Sequence, residues 1–139
     1  STAEYERFGK RYDLMVFEAL RGKARLNMLH AHGDDIMFDL LSDYPAEMFN
    51  WHDRLTDPTI AQAAGRFPRL LVGGIDEHGT LLHGSERDIE DQVHEALSQA
   101  AGRRLMIGPG CVLPVAATDA SIRAAVRATH QFQEGLACA

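Results

Sequence analysis

Leu26-Asn27-Met28-Leu29-His30-Ala31-His32-Gly33-Asp34 is the stretch whose reading decides the fold. A mostly apolar run over 26–32 stops at a glycine, and Asp34 then stands as an N-cap before a helical pattern of Ile36, Met37, Leu40 and Leu41. That is a strand passing straight into a helix, and the same order returns three more times. Residues 46–51 are short and apolar, and Asp57 with Pro58 supplies a cap and a first-turn proline for a helix ending near Gly65. Residues 69–75 form the third strand candidate, with Ser85 and Asp88 ahead of an amphipathic helix through Ile89, Val93, Ala96, Leu97 and Ala100 to Gly102. The fourth strand, 105–108, leads through a Gly/Pro/Cys loop to a helix from about residue 119 to 132. Before all of these, Tyr5, Phe8, Tyr12, Met15, Val16, Ala19 and Leu20 recur at helical spacing, with Ser1 and Glu4 resembling a capping box and Gly22 where the helix would stop.

Strands alternating with helices at short intervals imply a parallel sheet, because parallel neighbours need a long return connection and a helix provides it. The fold class is α/β. With 139 residues, 45% of them hydrophobic, the chain fits one domain with a single core. A net charge of −6 with no basic run longer than Arg103-Arg104 argues against a nucleic-acid or anionic-membrane partner. No apolar stretch approaches the roughly 20 residues that cross a bilayer, and the N-terminus is charged where a signal peptide needs an apolar core. The expectation is a soluble, cytoplasmic protein. Two cysteines, Cys111 and Cys138, are too few for a disulfide framework, and Cys138 sits beside the C-terminus, so Cys111 is the one that needs explaining.

In α/β folds of this kind ligand sites gather at the C-terminal strand ends, and each of these ends is rich in polar or glycine residues. They read Leu-His-Ala-His-Gly-Asp, Asn-Trp-His-Asp-Arg, Gly-Gly-Ile-Asp-Glu-His and Gly-Pro-Gly-Cys. His30 and His32 are two apart, so on a strand both imidazoles share a face, and Cys111 past another strand end can add a thiolate to a tetrahedral zinc site with one position open. Residue spacing equally allows both histidines to be hydrogen-bonded barrel residues and Cys111 a small buried hydrophobe. Asp76, after the backbone-exposing pair Gly73-Gly74, is either an acid-base or hydrogen-bonding carboxylate in a site or a turn cap. Trp51 offers an apolar wall for a ligand or simply core packing, and His52 with Asp53 a proton-transfer pair. Asp34, Asp57 and Asp119 read as caps; His78, His83, His94 and His130 read as surface or loop residues.

Four segments taken together, His30-Ala31-His32-Gly33-Asp34, Asn50-Trp51, Gly73-Gly74-Ile75-Asp76 and Gly108-Pro109-Gly110-Cys111-Val112-Leu113-Pro114, resemble the C-terminal half of the uroporphyrinogen decarboxylase family, over about residues 5–132. The resemblance implies a (β/α)8 barrel, of which this chain carries four units and a leading helix. It also implies a site at the C-terminal strand ends, with Asn50, Trp51 and Gly74 near substrate. The family divides into decarboxylases and methyltransferases that activate a thiol on zinc. Methyltransferases of that branch share a His-x-Cys at the first of these strands and a later cysteine; here His30 matches the histidine, His32 stands in the first cysteine's place and Cys111 matches the later one. The decarboxylases resemble one another in a Gly-His-Gly at the last strand, where this chain has Pro109. The leading expectation is therefore a zinc-dependent methyltransferase-like enzyme, metal held by His30, His32 and Cys111, with a small-molecule substrate and a corrinoid protein as a candidate partner; Asp76 is the candidate catalytic residue, with its role in substrate binding and proton transfer drawn for the decarboxylase alternative. The alternatives are a metal-free uroporphyrinogen decarboxylase of porphyrin biosynthesis and a non-catalytic half-barrel module.

A complete barrel needs roughly 200 residues or more. A four-unit sheet leaves two edges and its inner face open, which implies a piece of a longer polypeptide, self-association, or pairing with the missing half-barrel.

Overall fold

The computed structural model describes residues 1–137, with side chains as far as residue 132; Cys138 lies outside the described residues. The chain opens with α1 (Thr2–Tyr5), a π-helical turn (Glu6–Lys10) and α2 (Arg11–Leu20), and the Ser1/Glu4 capping box is formed. Then follow β1 (Met28–Ala31), α3 (Phe38–Ser42), β2 (Met48–Trp51), α4 (Ile60–Ala64), β3 (Leu70–Ile75), α5 (Thr80–His83), α6 (Glu86–Ala100), β4 (Leu105–Pro109) and α7 (Asp119–Ala137). The four strands make one parallel sheet in the order β1-β2-β3-β4.

That order is informative. Each crossover steps to the adjacent strand in the same direction, so with right-handed connections every helix falls on the same face and the sheet curls as part of a barrel, not as a doubly wound layer. The expected strand-helix alternation and α/β class hold, and the architecture is a partial TIM-barrel type. The helix-facing strand residues are apolar and buried: Ala31, Phe49, Trp51 and Leu71 pack with Phe38 and Leu41 of α3, Ile60, Ala63 and Ala64 of α4, and Ala96 and Ala100 of α6. A second cluster joins Ile75 to Leu81, Ile89 and Val93 and to Ala124, Ala125 and Ala128 of α7. Alanines on α4, α6 and α7 let the helices lie close to the sheet. The opposite, barrel-interior face carries Met28, His30, Asn50, Val72 and Met106 in register, and Met28 and Met106 are 50% and 48% exposed.

The leading helix is tied to the body by a polar knot. Tyr44 Oη donates to Asp13 Oδ2 at 3.0 Å and lies 3.0 Å from Tyr5 Oη, which also bonds Asp13. Burial first, and the Tyr5 and Asp13 bonds after it, raise the Tyr44 phenol, which stays a neutral donor. Phe17 packs edge-on against the Tyr44 ring at 5.8 Å.

Three helix starts differ from the sequence reading. Asp34 caps nothing, because the chain stays irregular to Met37 and α3 begins at Phe38. Helix α4 starts at Ile60, not at Pro58: Thr59 Oγ1 accepts the Gln62 N–H while Gln62 Oε1 accepts the Thr59 N–H, a reciprocal cap that outcompetes Asp57. The short helix α5 was not foreseen. Ser85 and Asp88 form the capping box expected for α6.

Candidate functional site

At the C-terminal strand ends, ligand atoms of His32, His52 and Cys111 all lie within 4.8 Å of one another. Three elements supply them: the turn after β1, the turn after β2 and the loop after β4. The parallel register explains the meeting. His30 pairs with Asn50 and Ala31 with Trp51, so one step beyond the last bridge His32 comes beside His52, and their rings stand edge to face at 5.2 Å. Gly33, at φ +121°, turns the chain away immediately after His32. Gly110 lets the loop that carries Cys111 lie against β2, because a Cβ there would lie 2.8 Å from the His52 Cα and 3.2 Å from the Trp51 carbonyl oxygen. Two imidazoles and a thiol form a zinc-type donor set. Ligands of one tetrahedral zinc stand roughly 3.3–3.8 Å apart, and the 4.8 Å within which these atoms lie is close to that range. The three residues fit such an ion.

His30 is held outside this cluster. Its Nδ1 lies 2.6 Å from Asn50 Oδ1, and its ring centre is 6.0 Å from that of His32 and 6.4 Å from that of His52. Of the three expected ligands the structure therefore brings together His32 and Cys111, with His52 where His30 was expected. The physical reason lies in β1, which ends at Ala31: His32 has left the pleat, so the two-residue alternation that would align it with His30 no longer applies.

Asn50 is buried and fully engaged. Its Nδ2 donates to the Val72 carbonyl and to the Pro109 carbonyl, both at 3.0 Å, which ties β2 to β3 and β4 on the barrel-interior face. Because both amide protons are spent on carbonyls, Oδ1 must be the atom facing His30. His30 Nδ1 is then the protonated donor, and Nε2 carries the lone pair. Asn50, expected beside substrate, thus reaches the site through His30.

Glu77, which sequence reasoning passed over, is 1% exposed. Its Oε2 accepts the Gly110 N–H at 3.0 Å, and its Oε1 stands 3.1 Å from His52 Nδ1. Asp53, expected as the proton-transfer partner of His52, instead turns to β3: Oδ1 accepts the Gly74 N–H at 2.9 Å and Oδ2 lies 3.6 Å from Arg54 Nε. Burial pushes the Asp53 carboxyl up to about 6, although the Gly74 N–H and the Arg54 charge pull the other way. Arg54 completes this buttress by donating to the Gly74 carbonyl at 3.0 and 2.8 Å and to the Gln92 carbonyl at 3.0 Å, and it pairs with Glu95.

Three further candidate residues are engaged by the protein itself. Asp76 is a turn cap: its Oδ1 accepts the His78 and Gly79 N–H groups at 3.1 and 2.8 Å, so the carboxylate is committed to the loop before α5. Trp51 walls no ligand, for it is 0% exposed, stacks edge-on with Phe38 and Phe49, and donates its indole N–H to the Pro58 carbonyl at 2.9 Å. Gly74 is closely approached by protein groups. It sits at φ +102°, both its backbone groups are taken by Asp53 and Arg54, and a Cβ would meet the Ala96 methyl at 2.7 Å. Gly73 likewise leaves room for the Asp53 carboxylate.

Beside His30 and His32 a cleft of about 410 Å³ opens between β1 and the leading helix, lined by Asp13, Phe17, Leu29 and Met37 among others. A smaller hollow of about 80 Å³ lies between His32, His52 and Leu55. No helix of the described residues is long and apolar enough to cross a membrane.

A curling parallel α/β sheet with reactive side chains collected at its C-terminal ends defines a barrel-type protein with an enzyme-like site. Residues 1–132 match the sequence model of the family described as Uroporphyrinogen decarboxylase (URO-D), and the chain belongs to that family. No curated protein matches it.

Proposed function

We propose that this chain carries the metal-thiol half of a URO-D family methyltransferase-like site. The observation that carries the reading is the convergence of His32, His52 and Cys111 ligand atoms within 4.8 Å at three strand ends. Pro109, in the position where the decarboxylase branch resembles a histidine, points the same way. Zinc bound there would lower the pKa of a substrate thiol so that it reacts as a thiolate.

The chain's own residues then have separate tasks. His32, His52 and Cys111 would hold the ion, three protein ligands being the set with which zinc can also take a substrate sulfur. His30, its Nδ1–H fixed by Asn50, presents an unprotonated Nε2 that accepts the proton leaving the substrate S–H and passes it to solvent, to which His30 is exposed. The cleft beside β1, with His30 and His32 on its wall, has room for a small thiol. The methyl group comes from a separate donor, for which a corrinoid protein is the partner that the family resemblance implies.

Metal analysis of the freshly purified protein tests the reading. The expected result is zinc near one equivalent, lost in His32→Ala, His52→Ala and Cys111→Ser but retained in His30→Ala. Metal-free protein that binds a tetrapyrrole would return the chain to the decarboxylase reading, and binding of neither would leave a non-catalytic module.

A further inference from the structure

We infer that Glu77 is the positioning residue of this site, a buried carboxylate that sets the tautomer of His52 and the placement of the Cys111 loop with the same side chain. The inference rests on the metal reading above and extends it to a residue that binds neither metal nor substrate directly.

Glu77 stands just after β3, and the β3–β4 register, which pairs Gly74 with Gly108 and Ile75 with Pro109, brings it opposite Cys111 when continued. It is 1% exposed, and burying a carboxylate is costly unless a partner or a nearby positive charge compensates it. One oxygen has a partner, the Gly110 N–H immediately before Cys111. The other, Oε1, has no hydrogen-bond partner, and neither has His52 Nδ1, yet the two orphans face each other at 3.1 Å. The compensating groups at hand are therefore His52 and whatever His52 holds. Arg54, two residues after His52, is directed to Asp53, Gly74 and Glu95 instead.

Chemistry fixes the roles. A carboxylate can only accept, so the 3.1 Å contact becomes a hydrogen bond only with the His52 proton on Nδ1, the arrangement that leaves the Nε2 lone pair for a metal. A hydrogen-bonded carboxylate behind a ligating imidazole orients the ring and strengthens its basicity. The charges also balance: a divalent ion, one thiolate and two neutral imidazoles sum to +1, and Glu77 supplies the missing −1. Since Glu77 grips the Cys111 loop as well, the two ligands from β2 and β4 are set by one side chain.

Glu77→Gln discriminates sharply. The Gly110 N–H still demands an oxygen, so the new NH2 is forced towards His52 Nδ1, which must then be the acceptor; the proton moves to Nε2 and the ligand lone pair is lost. Two measurements follow. The first is 15N NMR of histidine-labelled apo protein, with His52 assigned by comparison with His52→Ala. The expected result is an Nδ1–H tautomer in wild type, an Nε2–H tautomer in Glu77→Gln, and retention of Nδ1–H in Glu77→Asp, which keeps the charge. The second is Co2+ titration followed by the thiolate-to-cobalt absorption band, where Glu77→Gln should bind about 10–100-fold more weakly than wild type with unchanged circular dichroism. Wild-type affinity and an unmoved tautomer in Glu77→Gln overturn the inference. If that variant does not fold, an Nε2–H tautomer in the wild type overturns it equally. A wild-type protein that shows the Nδ1–H tautomer and its switch, but no cobalt-thiolate band, refutes the metal reading and leaves the tautomer assignment standing.

Discussion

Placing alanine at Gly74 separates a packing role from a ligand-binding one. The backbone there has φ +102°, where a residue with a Cβ costs on the order of 1–3 kcal/mol. The new methyl would also lie 2.7 Å from the Ala96 Cβ and 3.3 Å from Ile107 Cδ1, well inside van der Waals contact, and overpacking of this kind costs about 1–3 kcal/mol. Together Gly74→Ala should lose roughly 2–6 kcal/mol, a large share of the ~5–15 kcal/mol that holds a domain. Urea unfolding followed by circular dichroism measures it. The double variant Gly74→Ala/Ala96→Gly removes the clash on α6, at about 0.5–1 kcal/mol for glycine in a helix, so it should recover part of the loss and leave the backbone strain. A single variant within about 0.5 kcal/mol of wild type would refute the reasoning. So would a variant of normal stability with weakened substrate binding, the pattern expected if Gly74 met the ligand.

Asp53 predicts an unusual pH dependence: its folded carboxyl is raised to about 6 above an unfolded value of 3.8, so the folded state holds the proton more tightly. Its contribution is fully present below about pH 4 and is lost as pH rises through 6, on the order of 2–3 kcal/mol. Asp53→Asn keeps the oxygen for the Gly74 N–H and should flatten that slope between pH 4 and 7.5 in metal-free urea titrations; equal slopes in both proteins would show that the carboxyl is not raised. Asp76→Ala removes the acceptor for the His78 and Gly79 N–H groups, so about 1 kcal/mol of stability should disappear while metal stoichiometry stays at the wild-type value. Among the described residues β1 and β4 each lack an outer neighbour, and Met15, Val16 and Met28 are exposed at 66%, 59% and 50%. The chain should therefore associate with a second half-barrel, its own copy included, and sedimentation of a monodisperse monomer at micromolar concentration would contradict this.

Much of the fold was legible because its signals are local. Four apolar runs, each followed by polar or glycine residues and then a helical pattern, suffice for parallel strand-helix units, and the Ser1/Glu4 and Ser85/Asp88 boxes formed where their spacing placed them. Helix starts without a unique cap were less legible: Asp57 and Thr59 compete within three residues, and only the side chain of Gln62 decides for Thr59.

The sequence by itself determined that two histidines and a cysteine would stand at strand ends, since strand order and polarity are written in the chain. Which of them meet was decided by the tertiary structure, through register. A parallel pairing of His30 with Asn50 puts His32 beside His52, and the pairing of Ile75 with Pro109 puts Glu77 towards Cys111. Neither register follows from either strand alone, because it depends on backbone bonds between segments 20 and 34 residues apart, and a shift of one residue would exchange the sheet's two faces. The same reason explains Trp51 and Gly74. Each has the right residue type at the right strand end, and each is claimed by neighbours that only folding brings near, the α3 aromatic ring of Phe38 for Trp51 and Asp53 with Arg54 for Gly74, whereas Asp76 is taken locally by the His78 and Gly79 N–H groups of its own turn.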